Sequence, residues 1–121
     1  MRGQTNSMPV DAMSKTSRQS ATRVYYQQIN NKTYLCWGWN EITVQYATVN
    51  QKTITYPVTP DGVSNVFPVI SLLYNGGYWA DIQLNAGNRT STGFTVQSFG
   101  LASGMGTINA SFTWMAVITT A

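Results

Sequence analysis

A chain of 121 residues with formal charge +3, no histidine, one cysteine and four carboxylates, Asp11, Glu41, Asp61 and Asp81, holds few of the side chains that perform catalysis. Charged residues are 9% of it, against roughly 25% in ordinary soluble domains, and aromatics are 12%, so its surface is expected to consist mainly of Thr, Ser, Asn, Gln and Tyr. Histidine-based triads and metal sites are excluded, and contact with neutral, hydroxyl-rich partners is favoured.

The seven Lys and Arg are scattered from Arg2 to Arg89 without the dense patch of a nucleic-acid binder, so no nucleic-acid partner is expected. The length fits a single core. Cys36 stands alone in an apolar run and should behave as a small buried hydrophobe. No run approaches the ~18 to 20 apolar residues that cross a bilayer, and Arg2-Gly3-Gln4-Thr5-Asn6 is no secretory stretch, so a soluble product made in a cytoplasm and not inserted in a membrane is expected.

Residues 1 to 21 place Met1, Met8 and Met13 among Gly, Ser, Thr, Gln and Arg with no sustained period, which predicts an N-terminal arm or linker, with Met8-Pro9-Val10 as one contact to another subunit. Residues 22 to 121 read as one all-β domain. Two strands near Arg23 to Ile29 and Thr33 to Trp39 flank an Asn30-Asn31 hairpin turn, and a third runs from Glu41 to Val49 with Ile42, Val44 and Tyr46 on one face. A fourth, Lys52 to Tyr56, stops at Pro57, and Thr59-Pro60-Asp61-Gly62 has the composition of a type I or II turn.

Val66 to Tyr74 is continuously apolar and predicts a strand buried on both faces. Asn75-Gly76-Gly77 reverses the chain into Tyr78 to Leu84, which ends at Asn85-Ala86-Gly87-Asn88. In the next strand Phe94, Val96 and Ser98 share a face, and the Gly-rich loop Gly100 to Gly106 that follows is expected to be either mobile or tightly folded. The last strand, Thr107 to Ile118, should be central, with Phe112, Trp114, Ala116 and Ile118 on one face and Thr113, Met115 and Val117 on the other. About eight strands without a helical crossover predict an antiparallel β-sandwich, a closed barrel being the alternative.

Four elements in order, Tyr34-Leu35-Cys36-Trp37-Gly38, Ile54-Thr55-Tyr56-Pro57, Thr92-Gly93-Phe94 and Phe112-Thr113-Trp114-Met115-Ala116-Val117-Ile118, resemble the C-terminal receptor-binding domain of bacteriophage tail-fibre proteins across roughly residues 31 to 118. A weaker likeness, through Thr-Gly-Phe, is to the H-type lectin domain. The first resemblance implies a trimer-forming β-sandwich that contacts the host surface, located in the virion, and the second implies sugar recognition. The usual member of the tail-fibre family ends a much longer fibre, whereas Met1 here precedes the first matching element by only about thirty residues. Residues 1 to 21 are accordingly expected either to dock a trimer onto another virion tail protein or to continue a longer fibre.

A glycosidase needs two carboxylates roughly 5 to 9.5 Å apart, and Glu41, Asp61 and Asp81 lie in a strand start, a turn and a strand with nothing that pairs them, so no enzyme and no cofactor or metal is expected. Asn31-Lys32-Thr33, Asn88-Arg89-Thr90 and Asn109-Ala110-Ser111 match the glycosylation pattern by chance of composition. Of the aromatic residues, Trp37 and Trp114 are expected in the core, while Tyr78 and Trp79 beside the Asn75 turn can stack on a sugar ring. Asn88 and Arg89 sit in a turn suited to contact, Arg89 pairing with a phosphate or carboxylate. Asn75, Tyr78, Trp79, Asn88 and Arg89 are thus the candidate receptor- or glycan-binding residues. The function expected is attachment of a virion to a host surface glycan or outer-membrane protein by a homotrimer, the alternative being a purely structural virion protein such as a capsid decoration or tail adaptor.

Overall fold

The structure, a computed structural model, describes residues 19–21, 23–78 and 80–121. Of the arm expected over residues 1 to 21, residues 1–18, the Met8-Pro9-Val10 contact included, lie outside the described residues, as does Trp79, while Gln19–Ala21 form a short strand paired with the next one. Eight strands follow in chain order: β1 (Gln19–Ala21), β2 (Val24–Asn30), β3 (Thr33–Gln45), β4 (Val49–Thr55), β5 (Val63–Tyr74), β6 (Ile82–Gly87), β7 (Gly93–Gly100) and β8 (Thr107–Thr120). They form two antiparallel sheets, as the all-β sandwich expectation requires. Four strands in the order β2-β3-β8-β5 make the larger one, with the three-residue β1 added beside β2, and β4-β7-β6 make the smaller.

The β8 strand is central because it pairs along nearly its whole length on both sides, with β3 from Gln45↔Thr107 to Thr33↔Thr119 and with β5 from Tyr74↔Ser111 to Val63↔Thr120. Its alternation then sets the core. Ala110, Phe112, Trp114, Ala116 and Ile118 are buried on the inner face beside Cys36, Ile42 and Val44 of β3. The small sheet answers with Ile54, Phe94 and Val96, and its Ser98 hydroxyl, fully buried, donates to the Thr43 carbonyl of β3 at 2.6 Å, so a polar group in the core is satisfied across the sheets.

Three glycines hold this packing where a side chain would not fit. A Cβ on Gly38 would meet the Trp114 indole at 2.7 Å, one on Gly93 would run into the Ile54 carbonyl, and one on Gly100 would meet the Gln45 carbonyl and the Met105 sulfur. The Gly100 to Gly106 loop is tightly folded: Met105 is buried and its N–H donates to the Ala102 carbonyl at 3.1 Å.

Several expectations differ from the structure: the strand expected over Tyr78 to Leu84 is β6, in which Asn85–Gly87, expected as a turn, pair with β7, and Tyr46, expected to face inward with Ile42 and Val44, is exposed. The second and third predicted strands are one continuous strand, β3, because pairing with β8 continues through Asn40 and Glu41. The strand predicted to be buried on both faces, β5, lies at a sheet edge with Phe67, Val69, Leu73 and Tyr74 exposed, and Pro68 is tolerated there. Trp37, expected in the core, stands on the outer face of the large sheet, stacked on Tyr25 with ring centroids 5.8 Å apart. Trp114 is in the core as expected.

Because the core is closed by β8, truncating it there is costly. Phe112→Ala is expected to lose about 4 kcal/mol and Ile118→Val about 1 kcal/mol in urea unfolding, whereas Thr53→Ala on the exposed face of β4 should stay within about 0.5 kcal/mol.

Candidate functional site

The loop between β6 and β7 begins with Asn88 in the left-handed region, at φ 49°, which turns the chain sharply after Gly87. Thr90 then builds the rest of the loop. Its N–H donates to the Gly93 carbonyl at 2.8 Å, and its hydroxyl oxygen accepts from the N–H groups of Thr92 and Gly93, each at 3.2 Å. The Tyr56 N–H donates to the Thr92 carbonyl at 2.9 Å, which fixes the loop to the chain leaving β4. The loop is held in shape before anything binds.

Arg89 is exposed, and one guanidinium nitrogen reaches the Val66 carbonyl of β5 at 3.4 Å, spanning from the loop to the large sheet. Under it lies a hollow of about 300 Å³ lined by Val63, Ser64, Asn65, Val66, Arg89, Thr90 and Ser91. Asn88 faces a second hollow of about 170 Å³ shared with Asn85, Thr95 and Gln97. The neighbours Asn88 and Arg89, both candidates from sequence, thus line adjacent concavities that are rich in hydroxyls and amides and contain no carboxylate.

The other candidates are placed elsewhere. Asn75 is buried, and its side-chain oxygen accepts from the Gly77 N–H at 2.8 Å while its carbonyl accepts from the Tyr78 N–H at 3.0 Å, so it shapes the turn before β6. Tyr78 packs partly buried against the core. Neither lines a hollow with Asn88 and Arg89.

Beyond these, pairing brings together surface residues that no local pattern marked. On the outer face of the small sheet Gln51 of β4 pairs with Gln97 of β7, and Gln97 with Asn85 of β6, giving three exposed amides in one row. On the outer face of the large sheet Tyr25, Trp37, Met115 and Val69 form one row across β2, β3, β8 and β5, with Gln27, Leu35, Val117 and Phe67 in the next. Val69 is 61% exposed, Phe67 51% and Met115 45%. At the rim of this apolar face Arg23, itself at φ 58°, lays its guanidinium 4.2 Å from the centroid of the Trp39 ring.

With sheet order, loop and faces defined, comparison with solved structures finds an R1-type pyocin tail fibre, N-terminally truncated, that superposes with a TM-score of 0.60 at 15% identity over 80% of each chain. The chain has a tail-fibre-like fold. A longer P. aeruginosa R1 pyocin fibre, comprising C-terminal residues 323–701, matches at a TM-score of 0.46 and 12% identity, covering 81% of this chain and 28% of that one. No protein-family profile matches the sequence, and no curated protein does.

Beneath the candidate loop, two titratable groups are buried in the core. Desolvation pushes the Cys36 thiol from 9.0 up to about 12, and it pushes the Tyr56 phenol from 10.0 up to about 12, with Cys36 adding to that rise and the Arg89 guanidinium opposing it. Among the described residues the Tyr56 hydroxyl has no hydrogen-bond partner. Both groups hold their protons in the folded chain at a pH where the unfolded chain releases them, so stability present below pH 9.0 falls as pH rises toward 12. Tyr56→Phe removes an unpaired buried hydroxyl and should raise stability by up to about 1 kcal/mol while flattening that alkaline decline, both read by denaturant unfolding across pH 8 to 11.

Proposed function

We propose that this chain is the host-attachment module of a bacteriophage tail fibre or receptor-binding protein. It works as a homotrimer in the virion tail, is made in the host cytoplasm, and recognises a surface glycan or outer-membrane protein through its loops without breaking a bond. Its N-terminal residues join it to another tail protein. The observation that carries this is the tail-fibre-like fold at a TM-score of 0.60. The lectin-like aspect rests on the hydroxyl- and amide-lined hollows at Asn88 and Arg89, which suit sugar hydroxyls.

The apolar outer face of the large sheet supports self-association. Tyr25, Leu35, Phe67, Val69, Met115 and Val117 lie on it in adjoining register positions. Phe67, Val69 and Met115 are each about half exposed, and a contiguous apolar patch of this kind marks an interaction surface. Second copies of this chain are the occupants that complete it. With each site binding at about millimolar strength, several sites on one cell raise the avidity by two to four orders of magnitude.

Two measurements test these claims separately. Purified protein should bind cells of the sensitive strain and block adsorption of the virus that carries it; no block at saturating concentration would leave the structural virion role in its place. Native mass spectrometry should find a trimer for the wild type and monomer for Val69→Asp, with an unchanged circular dichroism spectrum; a Val69→Asp trimer removes this face from the interface.

A further inference from the structure

Resting on the adhesive function just proposed, we infer that the outer face of the small sheet, together with the Arg89 hollow at its end, is a binding site for an acidic polysaccharide. Gln51, Gln97, Asn85 and Asn88 bond the hydroxyls of neutral residues, and Arg89 takes a carboxylate or phosphate substituent.

The two outer faces of the sandwich differ in kind. The large sheet presents Phe, Val, Met, Leu and Trp, whereas the small sheet, beyond an end row of Val49, Phe99 and Gln83, carries the rows Gln51–Gln97–Asn85 and Thr53–Thr95–Gly87. Strand spacing of ~4.8 Å sets the three amides at about the repeat of a sugar unit, and each amide offers two donors and an acceptor, the complement of a ring hydroxyl. Gly87 leaves open space in the second row, where a Cβ would meet nothing within 4 Å, and Asn85, Gly87, Asn88, Thr95 and Gln97 together line the hollow of about 170 Å³, while Gln51 beside them lines another with Glu41 and Lys52. Asn88 leads directly to Arg89 and the hollow of about 300 Å³.

Arg89 is the cation in that lining, which holds no carboxylate to neutralise it. Of its five donors one approaches the Val66 carbonyl, at the long distance of 3.4 Å, which leaves the planar fork available to a ligand's anion. Asn65 and Ser91 stand in the same lining as further donors. The Thr90 bonds that close the loop hold this arrangement before a ligand arrives, which lowers the ordering cost of a weak sugar contact.

The test uses the full chain and oligosaccharides released from the envelope polysaccharide of the strain to which the protein adsorbs, titrated calorimetrically so that multivalency does not enter. Arg89→Gln should weaken binding about tenfold or more, Gln97→Ala severalfold, and binding by the wild type should fall as salt rises. Reducing the carboxylates of the oligosaccharide, or removing its phosphates, should abolish the Arg89 dependence in one arm and thereby name the anion. Wild-type affinity in Arg89→Gln, or in oligosaccharide stripped of both anions, overturns the assignment to Arg89; wild-type affinity in Gln97→Ala overturns the amide row. Adsorption to cells without polysaccharide binding overturns the inference and leaves the adhesive function intact, whereas absence of any adsorption removes both.

Discussion

The two sheets are joined through one aromatic cluster, and the placement of the loop follows from it. Phe94 of the small sheet meets Trp114 of the large sheet edge to face at 5.7 Å, and Tyr56 packs on both at 6.0 and 6.3 Å. Such pairs contribute roughly 0.5 to 1.5 kcal/mol each beyond their burial. Their larger effect is positional. The indole can occupy its place because position 38 is glycine, and Phe94 comes near because Gly93 lets β7 approach the Ile54 carbonyl. Tyr56, one member of the cluster, also hydrogen-bonds the Thr92 carbonyl through its backbone, so the loop carrying Asn88 and Arg89 is referenced to the core by a residue inside it.

Once the inner faces are committed to that core, the outer faces are free to differ, and they do. A surface with few charges has two ways to leave water: apolar side chains against a partner, or amides and hydroxyls against a hydroxylated ligand. The large sheet carries mainly the first set, and the rows through Gln97 and Thr95 of the small sheet carry the second. Arg23 marks the boundary of the apolar face, where its guanidinium covers the Trp39 ring and keeps its charge in solvent. That residue holds a left-handed backbone conformation at some conformational cost, and its carbonyl accepts from the Trp39 N–H at 3.1 Å, which fixes the corner.

Alternation was enough to orient the residues of β7 and β8, since Phe94, Val96 and Ser98, and Phe112, Trp114, Ala116 and Ile118, all face inward as their spacing implies. Turn composition likewise located the hairpin at Asn30, where the side-chain oxygen accepts from the Lys32 N–H at 2.8 Å, and the loop at Asn88. What misled was apolar content on two faces. A strand that meets a core on one side and offers an apolar surface on the other has the same composition as a strand buried twice, so Trp37 and Val69 read as interior. The break expected near Asn40 failed for a different reason: its polar residues sit within a pairing to β8 that spans Thr33 to Gln45 and overrides local preference. The row of Gln51, Gln97 and Asn85 was not legible at all, because the register of β4 on the distant β7, which brings Gln51 to Gln97, is set by the whole sheet.

For the attachment role proposed above, few charges and a loop held by its own hydrogen bonds have a consequence for salt dependence. Pairing by a single guanidinium is screened over about 10 Å at 0.1 M salt, whereas amide-to-hydroxyl bonds are not, so a surface of Gln, Asn and Thr keeps its contacts where a basic patch would lose them. Each such bond is worth little net because it replaces one to water. A site of this kind therefore gains firmness from copy number rather than from any one strong contact. The apolar outer face of the large sheet and the amide rows of the small sheet lie on opposite sides of the same sandwich, joined through a core that holds both in fixed relation.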